Sequence, residues 1–431
     1  MRATVSAGAP ATALVPAAPL THARIFIVMD SVCFRPPFSH GGTETQLSML
    51  ALELERHGAQ VTCVARQCLV PTVSAAVPRA PRTHYVPPRG GVRGSGWAAL
   101  GPNLRFIANT ARLMVRARHR YDAMIVSGFR QLALPLGLIA RLLGKRCIVR
   151  IEAAWDLDDQ LTPESSARIG PLGRLVVRLA VRASRRLAFA FAHDIVAFSP
   201  ALRGGLAASG APARKIRLLP NGLDSARFAP VSVHRRQQLR SELGLPAGRR
   251  IYLYAGRICR SKGVLDLLRV WERLAERDDL FLVLAGGGDS HDSCVPEVAR
   301  FVADHPHATA TVGPVAHVED YLQAADVFIS LSHRESFGLS LLEAIAVGLP
   351  CVTTDVGIAG AVVRHHGSGA LLPPHTSPEQ VLAEIGWIES HREGLSRSVA
   401  RARELVVRRY GISKVAQRYA ELCEAREIRP R

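Results

Sequence analysis

The chain has 431 residues, of which 48% are hydrophobic and 21% charged. That is enough apolar material for two cores and too little charge for global disorder. Its 55 Lys and Arg outnumber its 36 Asp and Glu for a net charge of +19; through Ser225 the tally is 29 basic against 12 acidic residues, or +17. The first half therefore faces an acidic partner (an anionic membrane surface, a phosphorylated acceptor or nucleic acid) or carries a solvated Arg-rich surface.

Residues 1–21 are rich in Ala and Pro, and Pro10, Pro16 and Pro19 interrupt any apolar helix. This stretch reads as a disordered tail rather than a signal peptide. Order is predicted to begin at Arg24–Met29, a short apolar run typical of a buried parallel strand. A loop with Gly41 and Gly42 follows, then a helix over Glu44–His57 and a strand over Val61–Val64. Arg66–Arg105 is Pro- and Gly-rich and is expected to be a long surface excursion. The alternation resumes with a strand at Ala123–Val126, a helix at Leu132–Leu143, and strands at Arg146–Ile151, Ile195–Phe198 and Ile216–Pro220. A second series runs through Ile251–Ala255, Leu280–Ala285, Thr309–Val312, Val327–Leu331 and Cys351–Thr354.

Two successive runs of alternating β and α elements imply an α/β fold of two doubly wound, Rossmann-like domains facing a central cleft. The join is expected near Asn221–Pro230. The divisions are a tail at 1–21, an acceptor-binding domain at 22–222, a nucleotide-sugar-binding domain at 223–405, and a last helical segment at 406–431 packing back toward the first domain.

No apolar run approaches the ~18 residues that span a bilayer. The eight cysteines form no CxxC pair, which argues for reduced thiols in a cytoplasmic protein and against a disulfide framework or a metal site. No zinc spacing or RNP-like run occurs, so nucleic acid is not expected as a partner.

The candidate chemistry gathers in four segments. In Ser332–Gly348 a strand ends at Leu331 and a helix is expected to start near Ser336, which could cap it. The free amides of Phe337, Gly338 and Leu339 would then form an anion site. Glu335 stands outside that helix and Glu343 about two turns inside. Carboxylates beside a phosphate site suit sugar hydroxyls rather than the phosphate itself. The second segment, Gly256–Gly263, follows a strand and offers Arg257 and Lys262 as cations for a diphosphate. The third is His40–Glu44, where Gly41 and Gly42 allow close backbone approach. The fourth is Ala285–Asp289, where Gly286 and its neighbours could admit a nucleotide. Taken singly, each is equally compatible with a capped helix, a solvated basic loop or an ordinary turn.

In order along the chain, these segments resemble glycosyltransferase family 4, which has the GT-B fold. The resemblance rests on Gly41-Gly42, Asn221-Gly222-Leu223-Asp224 with Phe228, Gly256-Arg257 with Lys262-Gly263, Glu335-Ser336-Phe337-Gly338-Leu339, Leu342-Glu343-Ala344, Gly348 and Pro350. It implies retaining transfer of a hexosyl or N-acetylhexosaminyl group from a nucleotide-diphosphate sugar, with no metal or other cofactor. The acceptor would be a glycan, a lipid-linked molecule or a small molecule, in polysaccharide or glycoconjugate biosynthesis. By the same resemblance Arg257 and Lys262 neutralise the leaving diphosphate, Glu335 contacts the donor sugar, Glu343 holds the ribose hydroxyls, and Gly42 touches the diphosphate across the cleft. One departure stands out. Many members carry His where this chain has Ser127-Gly128 or Glu152, so Glu152 and Ser127 are the candidate acceptor-side residues. A sugar-nucleotide epimerase and a non-catalytic sugar-nucleotide-binding protein are the alternative readings.

Finally, Arg174, Arg178, Arg182, Arg185 and Arg186 recur at three- and four-residue spacing within Gly173–Arg186. Such a basic amphipathic helix either packs on the core with a solvated Arg face or lies on the cytoplasmic face of an anionic membrane.

Overall fold

The computed structural model describes residues 22–29, 42–67, 82–89, 100–152, 157, 170–288, 292–366 and 368–425. The first domain is built on seven strands: β1 (Arg24–Met29), β2 (Gln60–Gln67), β3 (Thr83–Arg89), β4 (Ala123–Ser127), β5 (Arg146–Arg150), β6 (Asp194–Ala197) and β7 (Ile216–Leu218). They form one parallel sheet in the order β3-β2-β1-β4-β5-β6-β7. The second domain has β8 (Arg250–Ala255), β9 (Leu280–Ala285), β10 (Thr309–Gly313), β11 (Val327–Ser330), β12 (Cys351–Thr354) and β13 (Gly369–Leu372). These also pair in parallel, in the order β10-β9-β8-β11-β12-β13.

The central strands are buried at almost every position, β4 and β9 completely. A parallel sheet covered by helices on both faces has no solvated side, which is why these strands read as continuous apolar runs. Each domain is doubly wound about a first strand in mid-sheet, β1 or β8, and its strand order reverses there. Ligand crevices of such folds open at the carboxyl ends of the strands on either side of that reversal.

Two expectations need correction. Arg66–Arg105 is not wholly a surface excursion, because β3 lies inside it and pairs with β2. Its Pro87 and Pro88 would break a central strand but are tolerated at the sheet edge β3 occupies. The helix expected at Leu132–Leu143 is shorter, Leu134–Leu142, and is preceded by a π-helical turn over Phe129–Ala133. The tail at 1–21 lies outside the described residues.

The chain passes between domains twice, at neighbouring points. The Leu223 amide donates to Tyr410 O at 2.7 Å, and the Ile412 amide donates to Leu223 O at 2.9 Å. The last helix, Ile412–Glu424, then lies on the first domain beside the helix Gly42–Arg56. There Val415, Ala416, Tyr419, Ala420 and Cys423 are buried. His57 Nε2 meets Ser413 Oγ at 2.8 Å, and Arg146 donates to Ala425 O at 2.7 Å. Among the described residues no helix is long and apolar enough to cross a membrane.

Candidate functional site

A cavity of about 710 Å³ opens between the two sheets and is lined from both domains. From the second domain it takes Gly256, Arg257, Lys262, Glu335 and Phe337–Leu341; from the first it takes Gly42, Thr43, Glu152 and Phe198.

Its second-domain wall is made where β8 and β11 end. Past β8 the backbone turns at Gly256, and the buried Tyr254 hydroxyl donates to Arg257 O at 2.6 Å. Burial holds that phenol well above its ordinary pKa, so it keeps the proton it donates. Behind the turn stands Gly286, with φ of 152°; a Cβ there would lie 1.7 Å from Gly256 O. Gly286 is absent from the cavity lining. Lacking a side chain, it lets the β9 turn close on the Arg257 loop.

Lys262 ends a 3₁₀ turn, Arg260–Lys262, followed by Gly263 at φ 66°. A Cβ on Gly263 would overlap Leu331 O, at 1.9 Å, so only glycine lets this turn pack against the end of β11. The His333 amide donates to Ser261 O at 3.1 Å, and the Ser261 amide donates to Asp292 Oδ2 at 3.1 Å. Held on both sides in this way, Lys262 Nζ donates to Glu335 Oε1 at 2.5 Å, and Ser332 Oγ donates to the same oxygen at 3.2 Å. The pair is partly exposed, with side-chain exposures of 17% and 22%. Arg257 makes no side-chain hydrogen bond or ion pair with another described residue.

The helix after Glu335 begins later than the sequence suggests. It spans Leu339–Ala346, with Gly338 at its cap in the left-handed region, φ 99°, and no side-chain cap. Ser336 does not cap it. The Ile358 amide takes Phe337 O at 2.8 Å, which pulls the chain out of helical geometry until Gly338 turns it back. The amides that open the helix therefore belong to Leu339, Ser340 and Leu341, and all three residues line the cavity. Gly42 faces this helix start from the other domain, since a Cβ on it would stand 2.8 Å from Leu339 Cδ1. Gly41 lies outside the described residues.

Glu343 is set apart. It does not line the cavity. Burial pushes its carboxyl up to about 8, with Arg227 opposing the rise and Glu319 adding to it. Arg227 in turn donates to Glu319 Oε2 at 2.6 Å.

On the first-domain wall Glu152 is held by two hydrogen bonds and an ion pair. Ser127 Oγ donates to Oε1 at 2.6 Å, Thr43 Oγ1 donates to Oε2 at 3.2 Å, and Arg150 Nε stands 3.3 Å from Oε1. Arg150 is buried, lies over the Phe198 ring at 4.8 Å, and donates to Asn221 Oδ1 at 3.1 Å. Glu152 lines the cavity; Ser127 sits behind it as its donor.

Among the polar cavity residues missed from the sequence are Asp292, the exposed Arg334, and Asn221 as a lining residue. Arg334 directly precedes Glu335 and adds a third cation, a signal that was legible. Asp292 sits in a loop with no motif, and only the fold brings it to Ser261. Among the described residues no three His, Cys, Asp or Glu side chains gather as a metal site.

Two family models match. One, described as a glycosyl transferase 4-like domain, covers residues 41–222, and the other, glycosyl transferases group 1, covers residues 235–405. The D-inositol 3-phosphate glycosyltransferase of Kineococcus radiotolerans is 35% identical over 186 residues, 39% of this chain and 42% of that protein. The N-acetyl-alpha-D-glucosaminyl L-malate synthase of Bacillus anthracis is 28% identical over 183 residues, 42% of this chain and 47% of that protein. The matched stretch thus spans less than half of each of these two relatives. Among solved structures, Anabaena HepE in complex with UDP and glucose superposes with a TM-score of 0.72 at 19% identity, covering 94% of this chain and 100% of that one. Sucrose-phosphate synthase from Thermosynechococcus elongatus superposes with a TM-score of 0.71 at 22% identity, covering 93% and 98%. The chain belongs to the group 1, 4-like glycosyltransferases, of family 4 type, and has their two-domain GT-B fold.

Proposed function

We propose that this protein is a retaining glycosyltransferase. It moves a hexosyl or N-acetylhexosaminyl group from a nucleotide-diphosphate sugar to a glycan, lipid-linked or small-molecule acceptor, without a metal ion, on the cytoplasmic side of the cell. The reading places it in polysaccharide or glycoconjugate synthesis. The observation that carries it is the convergence of Arg257, Lys262, Glu335 and the open amides at Leu339–Leu341 on one interdomain cavity, opposite Gly42.

A nucleoside diphosphate gathers negative charge as its bond to the sugar breaks. Cations and helix amides already in place stabilise that charge without reorganising. Arg257 has no competing ion-pair partner among the described residues and is the cation free to take it. Lys262 is now held by Glu335. An arriving diphosphate would draw Lys262 away and leave the carboxylate to accept a hydrogen bond from a sugar hydroxyl. Glu343 is proposed for the ribose hydroxyls and Glu152 for the acceptor side. The epimerase and non-catalytic readings are less favoured, because the matching relatives are named as transferases or synthases.

The test is binding of free nucleoside diphosphates by calorimetry. One of UDP, GDP, ADP or dTDP should bind, and Lys262→Met should weaken it about tenfold or more. Failure of all four to bind, or equal binding by the variant, would sink the reading.

A further inference from the structure

We propose that the first domain docks on an anionic lipid bilayer through one face formed by three neighbouring helices. The helix Pro171–Phe191 seats its last turns on the domain through Ala188 and Phe189, the latter stacked on Phe129 at 5.3 Å. The rest stands largely clear. Leu172, Leu175, Val176 and Leu179 are 76%, 53%, 58% and 55% exposed. At about 100° per residue these four fall on one strip. Beside it runs a row of exposed arginines, Arg174, Arg178, Arg182 and Arg186. A solvated Arg face over a core-packed helix would have buried those leucines instead.

Two helices packed beside it also carry exposed apolar side chains. Leu134–Leu142 approaches closely because Gly137 has no side chain, a Cβ there standing 3.3 Å from Phe191 Cβ. It adds Leu138 and Leu142, 40% and 77% exposed. The helix Leu100–Arg116, packed on that one, adds Leu104 and Val115, 55% and 45% exposed. Ten of the fourteen large exposed hydrophobic side chains among the described residues lie on these three helices. None of the three contains an Asp or Glu. Exposed apolar side chains gathered on one helix strip, as at Leu172–Leu179, are costly in water and mark a surface that something covers.

The chemistry selects the occupant. A nucleic acid would match the arginines and leave the leucines wet. A second copy would set arginine against arginine. A bilayer with anionic headgroups takes both, with the leucines at the acyl boundary and the arginines among the phosphates. Crossover helices run antiparallel to the strands they connect, so the Pro171 end, with its leucines, lies on the side where the cavity opens. Docking would thus hold the cavity mouth near the bilayer. That last step rests on the proposed transferase reading through its acceptor; the docking itself does not.

The experiment is flotation with phosphatidylglycerol-containing vesicles and with pure phosphatidylcholine vesicles, in salt near 0.15 M so that weak ionic attraction is screened. The wild-type chain is expected to float with the first and not the second. Leu175→Glu/Leu179→Glu and Arg174→Glu/Arg178→Glu should each weaken partitioning about tenfold or more. Unchanged melting temperature and nucleoside diphosphate binding would show that both variants fold. Wild-type protein that stays with neither vesicle overturns the proposal. So does a leucine variant that floats as well as wild type, the result expected for a purely ionic surface. Lipid-free dimerisation abolished by the same variant would also overturn it and assign the face to a second copy. Vesicle binding is read without turnover, so inactivity of the enzyme would not affect the outcome.

Discussion

At the scale of single residues, the account turns on groups whose charge the fold has set before any substrate arrives. Lys262 and Glu335 neutralise one another across 2.5 Å. Lys262→Met should therefore lose the cation and also leave Glu335 as an uncompensated charge facing the diphosphate. It is expected to lower kcat about 100- to 1,000-fold, the usual cost of one preorganised donor to a developing anion. Glu335→Gln keeps the shape and should lower kcat less, which steady-state kinetics of the two variants would check. Glu343 makes a different prediction. With its carboxyl raised to about 8, it is largely protonated at neutral pH. If its ionised form receives the ribose hydroxyls, donor affinity should rise between pH 6 and about 8 and then level, and Glu343→Gln should flatten that profile. The stability sign is the opposite. A carboxyl with a folded pKa above its unfolded value contributes most below the unfolded pKa, and that contribution is lost as pH rises through about 8. Wild type should thus lose melting temperature relative to Glu343→Gln across that window. These residues were legible because their types and order are particular. Asp292 was not, because nothing local distinguishes it from any other loop acid.

At the scale of elements, the strands were read correctly wherever burial on both faces made them uniformly apolar, as in β4 and β9. Reading failed where local signals and tertiary contacts conflict. The prolines of β3 argued against a strand until its edge position was known. The helix after Glu335 starts two residues late, because a contact from the Ile358 amide outweighs the capping propensity of Ser336. At Gly286 a Cβ would meet the Gly256 carbonyl, a tertiary contact with no local signature in the sequence. A stability prediction belongs here. Gly263→Ala places a Cβ 1.9 Å from Leu331 O in a left-handed backbone. Moving either chain displaces Lys262 or Glu335, so this substitution should cost about 2–4 kcal/mol in denaturant unfolding and also weaken nucleoside diphosphate binding.

At the scale of the whole molecule, two sheets are joined where two passages of chain lie side by side, at Leu223 and Tyr410–Ile412. Gln46 fastens that crossing to the first domain, its side-chain amide both donating to Gly222 O at 2.8 Å and accepting from Gly222 N at 2.7 Å. The cavity lies between the sheets, so its geometry depends on this crossing. Gln46→Ala leaves two buried backbone groups unpaired and should cost about 2 kcal/mol or more, with donor KM raised beyond what the loss of stability explains. Division into two domains and their GT-B resemblance were readable from the alternation of elements and the order of motifs. That Gly42 faces the donor wall followed from the resemblance alone; its close approach to Leu339 was not readable, because no local pattern encodes how closely two domains meet. The central claim is that this interdomain cavity breaks a nucleotide-sugar bond using Arg257. It is tested most directly by measuring nucleoside diphosphate released from a panel of nucleotide sugars, for wild type and Arg257→Met, with an acceptor mixture present. The account predicts release from at least one donor, falling about 100-fold or more in the variant; release that is absent for every donor, or unchanged by Arg257→Met, would contradict it.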